Sequence, residues 1–86
     1  MPTKQLLLTA HARLRLRDRQ IRMDWVERTV RDPEWTAPDP RDVAVERRFR
    51  VIEEFDGRIL RVACVETTTA IRVISVMFDR NARRKS

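Results

Sequence analysis

Residues 55–78 read FDGRILRVACVETTTAIRVISVMF, and this stretch decides the fold. Asp56-Gly57 is a hairpin signal, because the chain's one glycine supplies a positive φ at no steric cost. Ile59 to Glu66 is nearly all apolar, as expected of a central strand. Thr67-Thr68-Thr69 makes the next turn, and Ala70 to Phe78 is the last strand. Upstream, Val43 to Phe55 alternates, with Val43, Val45, Phe49, Val51 and Phe55 on one face and Glu46, Arg48, Arg50 and Glu54 on the other. Arg47 and Glu53 interrupt the apolar face, so a bulge or a frayed end is expected there. The three runs make an antiparallel meander.

Outward toward the N-terminus, Pro33, Pro38 and Pro40 mark residues 33–42 as the hinge loop before the meander. A helix from about Met23 to Arg31 precedes it. Met23, Val26 and Val30 form its inward stripe, with Thr29 at the margin, and the pairs Asp24–Arg28 and Glu27–Arg31 have the favourable acid-first spacing. Asp32-Pro33 stops this helix, since the residue before proline leaves the α region. Thr9 is an N-cap for another helix from Ala10 to about Arg19, rich in Ala, Leu and Arg, and Lys4 to Leu8 suits a short edge strand. Three short strands cannot bury a core alone, so the two helices must cover one sheet face. The expectation is an α+β fold: N-terminal strand, two helices, three-stranded meander. Residues 1–86 fit a single domain with a core of about 5–79 and a basic, fraying tail over 80–86.

Hydrophobic residues are 42% and charged residues 37%, clustered with clear periodicity, which excludes a disordered chain. The one cysteine, Cys64, lies within the central strand and reads as a buried, inert thiol. The apolar run Leu6 to Leu8 is far too short for a signal peptide or a membrane span, so a reducing cytoplasm and no membrane partner are expected. Net charge is +6, unevenly placed: residues 1–33 are net +4, 34–56 net −3 and 57–86 net +5. Such a field favours RNA, DNA or an acidic protein. Arginine outnumbers lysine seventeen to two, which a solvated helix face alone can also explain. Trp25 lies off the inward stripe of its helix and Trp35 sits in the proline loop; either can anchor a partner or a second copy of the chain, as a homodimer, although packing of the loop is the simpler role for Trp35.

One histidine and one cysteine cannot supply a zinc shell, and a single glycine cannot build a phosphate loop, so no metal or cofactor is expected. Metal-free RNA cleavage needs a proton acceptor, a proton donor and cations for the developing charge. His11 is the one side chain that ordinarily titrates near neutrality, which makes it the candidate acid/base, with Glu46 or Glu66 as the other member; it can equally serve only to pack and hydrogen-bond at a helix start. Arg48, Arg50, Arg61 and Arg72 each interrupt the pattern of their own strand and, if the registers cooperate, meet on the uncovered sheet face.

The order Thr9-Ala10-His11-Ala12, then Arg17 and Arg19 leading to Ile21, Val26 and Val30, the Asp32-Pro33 stop, Glu46-Arg47-Arg48, Arg58 to Val62, and Ile71 to Val76 resembles the bacterial domain-of-unknown-function family 4258. That family in turn resembles the RelE/ParE/BrnT group of small toxins. The resemblance spans roughly Leu6 to Phe78 and implies a strand–helix–helix–three-strand fold. It implies a relation to ribonuclease toxins, acting on RNA that includes ribosome-bound RNA and neutralised by an acidic antitoxin. On it, His11, Arg17 and Arg19 match a helix-one signature and Arg61 and Arg72 match basic sheet positions. The expected site is therefore His11, Arg61 and Arg72 in catalysis, with Arg17, Arg19, Arg48 and Arg50 holding substrate. The chain has no tyrosine, and beyond Phe78 its only basic side chains are Arg and Lys, unlike the Tyr or His common at the end of RelE-like enzymes. The alternatives are a non-catalytic module for nucleic acid or an acidic protein, and a ParE-like toxin acting on a protein target.

Overall fold

A computed structural model of the chain describes residues 4–83. The elements run β1 (Gln5–Leu8), α1 (Ala10–Asp18), α2 (Met23–Arg31), β2 (Trp35–Pro38), β3 (Glu46–Ile52), a 3₁₀ turn (Glu53–Phe55), β4 (Arg58–Glu66) and β5 (Ala70–Phe78). The expected α+β arrangement is present, and the meander β3-β4-β5 forms the centre of a larger five-stranded sheet ordered β1-β5-β4-β3-β2. β1 pairs parallel with β5, and β2, which the proline-rich sequence conceals, pairs antiparallel with β3 at the other edge. An edge is where a strand ending in Pro38 is tolerated, because its missing N–H faces no second neighbour.

The strand-to-helix corner at Thr9 is held from three sides. Its N–H continues the β1–β5 ladder to the Val73 carbonyl at 3.1 Å. Its hydroxyl donates to the Ile74 carbonyl at 3.2 Å and accepts from the Ala12 N–H at 3.2 Å, capping α1. The Ile74 carbonyl is available because Ala63 pairs with Ser75 while Cys64 pairs with Val73, leaving Ile74 as the extra residue of a β-bulge. At its other end α1 closes with Ile21 N–H on the Leu16 carbonyl (2.8 Å) and Gln20 N–H on the Arg17 carbonyl (3.4 Å), with Gln20 at φ 54°. This Schellman closure uses Gln where Gly is usual, at a cost of about 1 kcal/mol. It turns Ile21 inward under Leu16 and leaves Arg19 at the corner.

Both helices pack on one sheet face, where Ala12, Ile21, Trp25, Val26 and Val30 meet Ile52, Leu60, Val62, Cys64, Ile71, Val73 and Val76. Cys64 is buried there, and burial pushes its thiol up, consistent with an inert role. The inward stripe of α2 differs from the expected one. Trp25, Val26, Thr29 and Val30 are buried, while Met23 is 39% exposed. A shift of the buried face by about 60° around the helix withdraws the larger indole from water in place of a thioether, and the Thr29 hydroxyl is satisfied by donating to the Trp25 carbonyl at 2.8 Å. Trp25 then packs on Phe55 and Phe78, with ring centroids 5.2 and 6.1 Å away.

The strand expected from Val43 begins at Glu46; Val43 is 94% exposed in the preceding loop. At its other end, residues 53–55 coil into the 3₁₀ turn, which moves Phe55 out of the alternation, and Asp56 (φ 57°) and Gly57 (φ 66°) complete the hairpin connection. The expected basic tail falls partly on residues 84–86, outside the described ones; its beginning is a turn in which the Asp79 carboxylate accepts from the N–H groups of Asn81 and Ala82. No helix among the described residues is long and apolar enough to cross a membrane.

Candidate nucleic-acid interface

Register decides which arginines can meet. Arg48 pairs with Val62 and Arg50 with Leu60, and those partners belong to the helix-covered core, so Arg48 and Arg50 lie on the covered face. This corrects the expectation that they share the open face with Arg61 and Arg72. Their guanidinium groups instead close the C-terminal end of α2. Arg48 Nη1 donates to the Val30 carbonyl at 2.9 Å and Arg50 Nη1 to the Asp32 carbonyl at 2.6 Å, where a helix leaves carbonyls without partners. Arg48 also binds Glu46 (2.8 Å) and Glu66 (2.6 Å), and only 12% of its side chain is exposed. Burial disfavours its charge, but the bonds to Glu66 and Glu46 raise its pKa further.

Arg61 and Arg72 do lie on the open face, but apart. Arg61 pairs in register with Met77 and Arg72 with Val65, four positions along β4, or about 13 Å at ordinary strand rise. Arg61 is occupied by Asp79 at 2.9 Å, with 20% and 13% of the two side chains exposed, whereas Arg72 is exposed without an ion pair among the described residues. His11, exposed near the start of α1, lies in the helix layer, with the sheet between it and that face. The expected constellation of His11, Arg61 and Arg72 is therefore not assembled.

The expected carboxylates, Glu46 and Glu66, are also committed, Glu46 to Arg48 at 2.8 Å. Glu66 accepts from Arg48 and from Lys4 Nζ (2.7 Å), and these bonds pull its pKa from 4.5 to about 2. Glu54 is brought to about 2 by the two-pronged grip of Arg28, at 3.0 and 2.9 Å. Carboxylates so depressed make poor proton acceptors near neutrality. They also set an acid limit. The unfolded chain binds more protons than the folded one between roughly pH 4.5 and 2, so their contribution is complete above that window and is lost as pH falls through it. Urea midpoints should accordingly decline from about pH 5 to pH 2, and a Glu54→Gln, Glu66→Gln double variant should show a shallower decline. An equal slope in both proteins would mean that these ion pairs do not set the acid limit.

A different group of arginines does converge. At the end of the sheet where β4 begins and β5 ends, a cleft of about 400 Å³ is lined by Arg15, Arg19, Arg58 and Arg80 around Ile21, Phe55, Val76, Met77 and Phe78. Arg15 and Arg19 are one helical turn apart on α1, and the pairing of Leu60 with Phe78 carries Arg58 and Arg80 to the same end of their strands. Arg58 lies over the Phe55 and Phe78 rings, 5.1 and 4.7 Å from their centroids. Among the described residues none of these four has a salt-bridge partner, and no carboxylate lines the cleft. Of the expected substrate residues, Arg19 is here. Arg17 is on the opposite flank of α1, turned from the inward Ala12. His11 precedes Arg15 by four residues, so it sits on the same flank, one turn outside the cleft.

Arg15, Arg58 and Arg80 were not singled out from the sequence. The available signals were the four-residue spacing of Arg15 and Arg19 and the position of Arg58 directly after the Asp56-Gly57 turn.

A family profile described as "Domain of unknown function (DUF4258)" matches residues 8–78. No curated protein matches the chain, and no solved structure does.

Proposed function

The chain belongs to the DUF4258 family, and we propose that this member binds single-stranded RNA, with the sugar-phosphate backbone held in the cleft of Arg15, Arg19, Arg58 and Arg80. The observation that carries this reading is the division of the arginines. Arg22, Arg28, Arg31, Arg47, Arg48, Arg50 and Arg61 are paired with carboxylates, and of the described arginines that are not, Arg15, Arg19, Arg58 and Arg80 converge on one cleft over an aromatic floor. Guanidinium forks suit phosphate, and the exposed Arg58 guanidinium, seated over Phe55 and Phe78, offers a planar face to an unstacked base. The resemblance of the family to RelE/ParE/BrnT-type toxins makes RNA the favoured polyanion, and an acidic antitoxin would cover the same cleft.

Purified protein should bind a 5′-phosphorylated single-stranded RNA with an affinity that falls steeply with salt, since each phosphate contact releases counterions. Binding of an acidic peptide with no measurable RNA affinity would replace this reading with that of a protein-binding module. His11 favours a second, stronger reading, a metal-independent endoribonuclease, because its exposed imidazole shares a flank with Arg15. On that reading RNA is cut in EDTA, and His11→Ala stops cutting while binding persists. Intact RNA with the wild-type protein would leave binding alone.

A further inference from the structure

The cleft does not end at the sheet's edge. A smaller hollow of about 170 Å³, lined also by Gly57 and Ile59, shares Arg58, Phe78 and Arg80 with it. That hollow in turn shares Asp79 and Ala82 with a third, of about 360 Å³, on the open sheet face. Sharing walls in this way, the three hollows follow one another around the end of the sheet, from the helix side to the open side.

The third hollow is bounded by Trp35, at the edge of the sheet. The Trp35 indole lies flat on Phe49, with centroids 5.1 Å apart and the planes 4° from parallel, and Trp35 is half-buried, lining the third hollow. Trp35, Phe49, Arg61 and Met77 are successive register partners across β2 to β5, so the indole stands at the far end of one cross-strand row. The row is about 14 Å long at ordinary strand spacing. Arg61 and Arg47 are held by Asp79 and Asp39 in this stretch, so it carries little net charge. A path that is cationic at one end and flat and aromatic at the other matches a strand that gives its phosphates to the first part and a base to the last.

We propose that the RNA-binding site extends over these three hollows and takes about three consecutive nucleotides, the last base stacking on Trp35. The inference rests on the RNA-binding reading above and adds to it a direction, a length and a residue.

The test is a titration of 5′-phosphorylated oligouridylates of one to five nucleotides against wild type and Trp35→Leu, a substitution that keeps an apolar cover over Phe49. Wild-type affinity should climb from one to three nucleotides and then level off. Trp35→Leu should leave the mononucleotide unaffected and weaken the trinucleotide about tenfold, near the low end of what one stacked base contributes. A Trp35→Phe variant, which keeps a ring, should recover most of that loss. Affinity that stays flat beyond one nucleotide overturns the extended path while leaving RNA binding intact. Equal weakening at every length assigns Trp35 a structural role and also overturns it. No binding at any length removes the RNA reading itself.

Discussion

Arg48→Ala is expected to lower the melting temperature by roughly 10–20 °C without touching the cationic cleft. The Arg48 guanidinium joins three elements: the Val30 carbonyl at the end of α2, Glu46 on β3 and Glu66 on β4. Its removal leaves a helix carbonyl and two carboxylates without their main donor. The carboxylates are partly exposed, so water recovers some of the loss, and the cost should fall near about 2–3 kcal/mol rather than at the top of the range for a buried pair. In a domain this small each kcal/mol moves the midpoint by about 4–8 °C. Arg48→Lys should restore less than half, because one ammonium cannot reach a carbonyl and two carboxylates set around a planar fork. Arg72→Ala, at an exposed site without an ion pair, should change stability by no more than about 0.5 kcal/mol. Circular dichroism melts of the three variants decide the matter. A melting point for Arg48→Ala within two or three degrees of wild type would mean that α2 is anchored by its apolar face alone.

The contrast between Arg48 and Arg72 also explains what could be read from the sequence. The meander was legible because Ile59 to Glu66 and Ala70 to Phe78 are apolar runs between recognisable turns, and the helices because Thr9 and Asp32-Pro33 mark their ends. β2 was not legible. Trp35 to Pro38 has the composition of a loop, and only pairing with β3 makes it a strand. The face occupied by each arginine was illegible for a related reason. Alternation in Val43 to Phe55 was anchored on Val43, Val45, Phe49, Val51 and Phe55, and Phe49 does lie opposite Arg48 and Arg50. What alternation cannot say is which face the helices choose. They cover the side bearing Arg48 and Arg50 because that side of β4 and β5 is apolar, with Leu60, Val62, Cys64, Ile71, Val73 and Val76 joined there by Ile52, whereas Arg61 and Arg72 stand on the other. The family resemblance, carried by the order of residues over most of the chain, holds as family membership. It did not locate a site, because a cleft built from a helix end and two strand ends appears only once the hairpin pairs Leu60 with Phe78.

Loss of the cleft's charge should have the larger functional effect. In a triple variant, Arg15→Gln, Arg19→Gln and Arg80→Gln, RNA affinity at low salt should fall by at least a hundredfold. The slope of log affinity against log salt should shrink by about 2, since each phosphate contact to a single strand contributes about 0.7. Stability should hardly change, because none of the three has a carboxylate partner among the described residues and each stands apart from the apolar core. Glutamine keeps the length and much of the hydrogen-bonding capacity of arginine, so a changed slope reports charge rather than shape. The control is Arg17→Gln with Arg72→Gln, which removes two exposed cations away from the cleft. If both proteins lose affinity in proportion to the charge removed, RNA sees only the net field of a basic molecule. If the triple variant alone loses the slope, the phosphates lie where Arg15, Arg19 and Arg80 converge. Arg58 is left in place in this comparison because its contacts with Phe55 and Phe78 would mix a packing change into a measurement of charge.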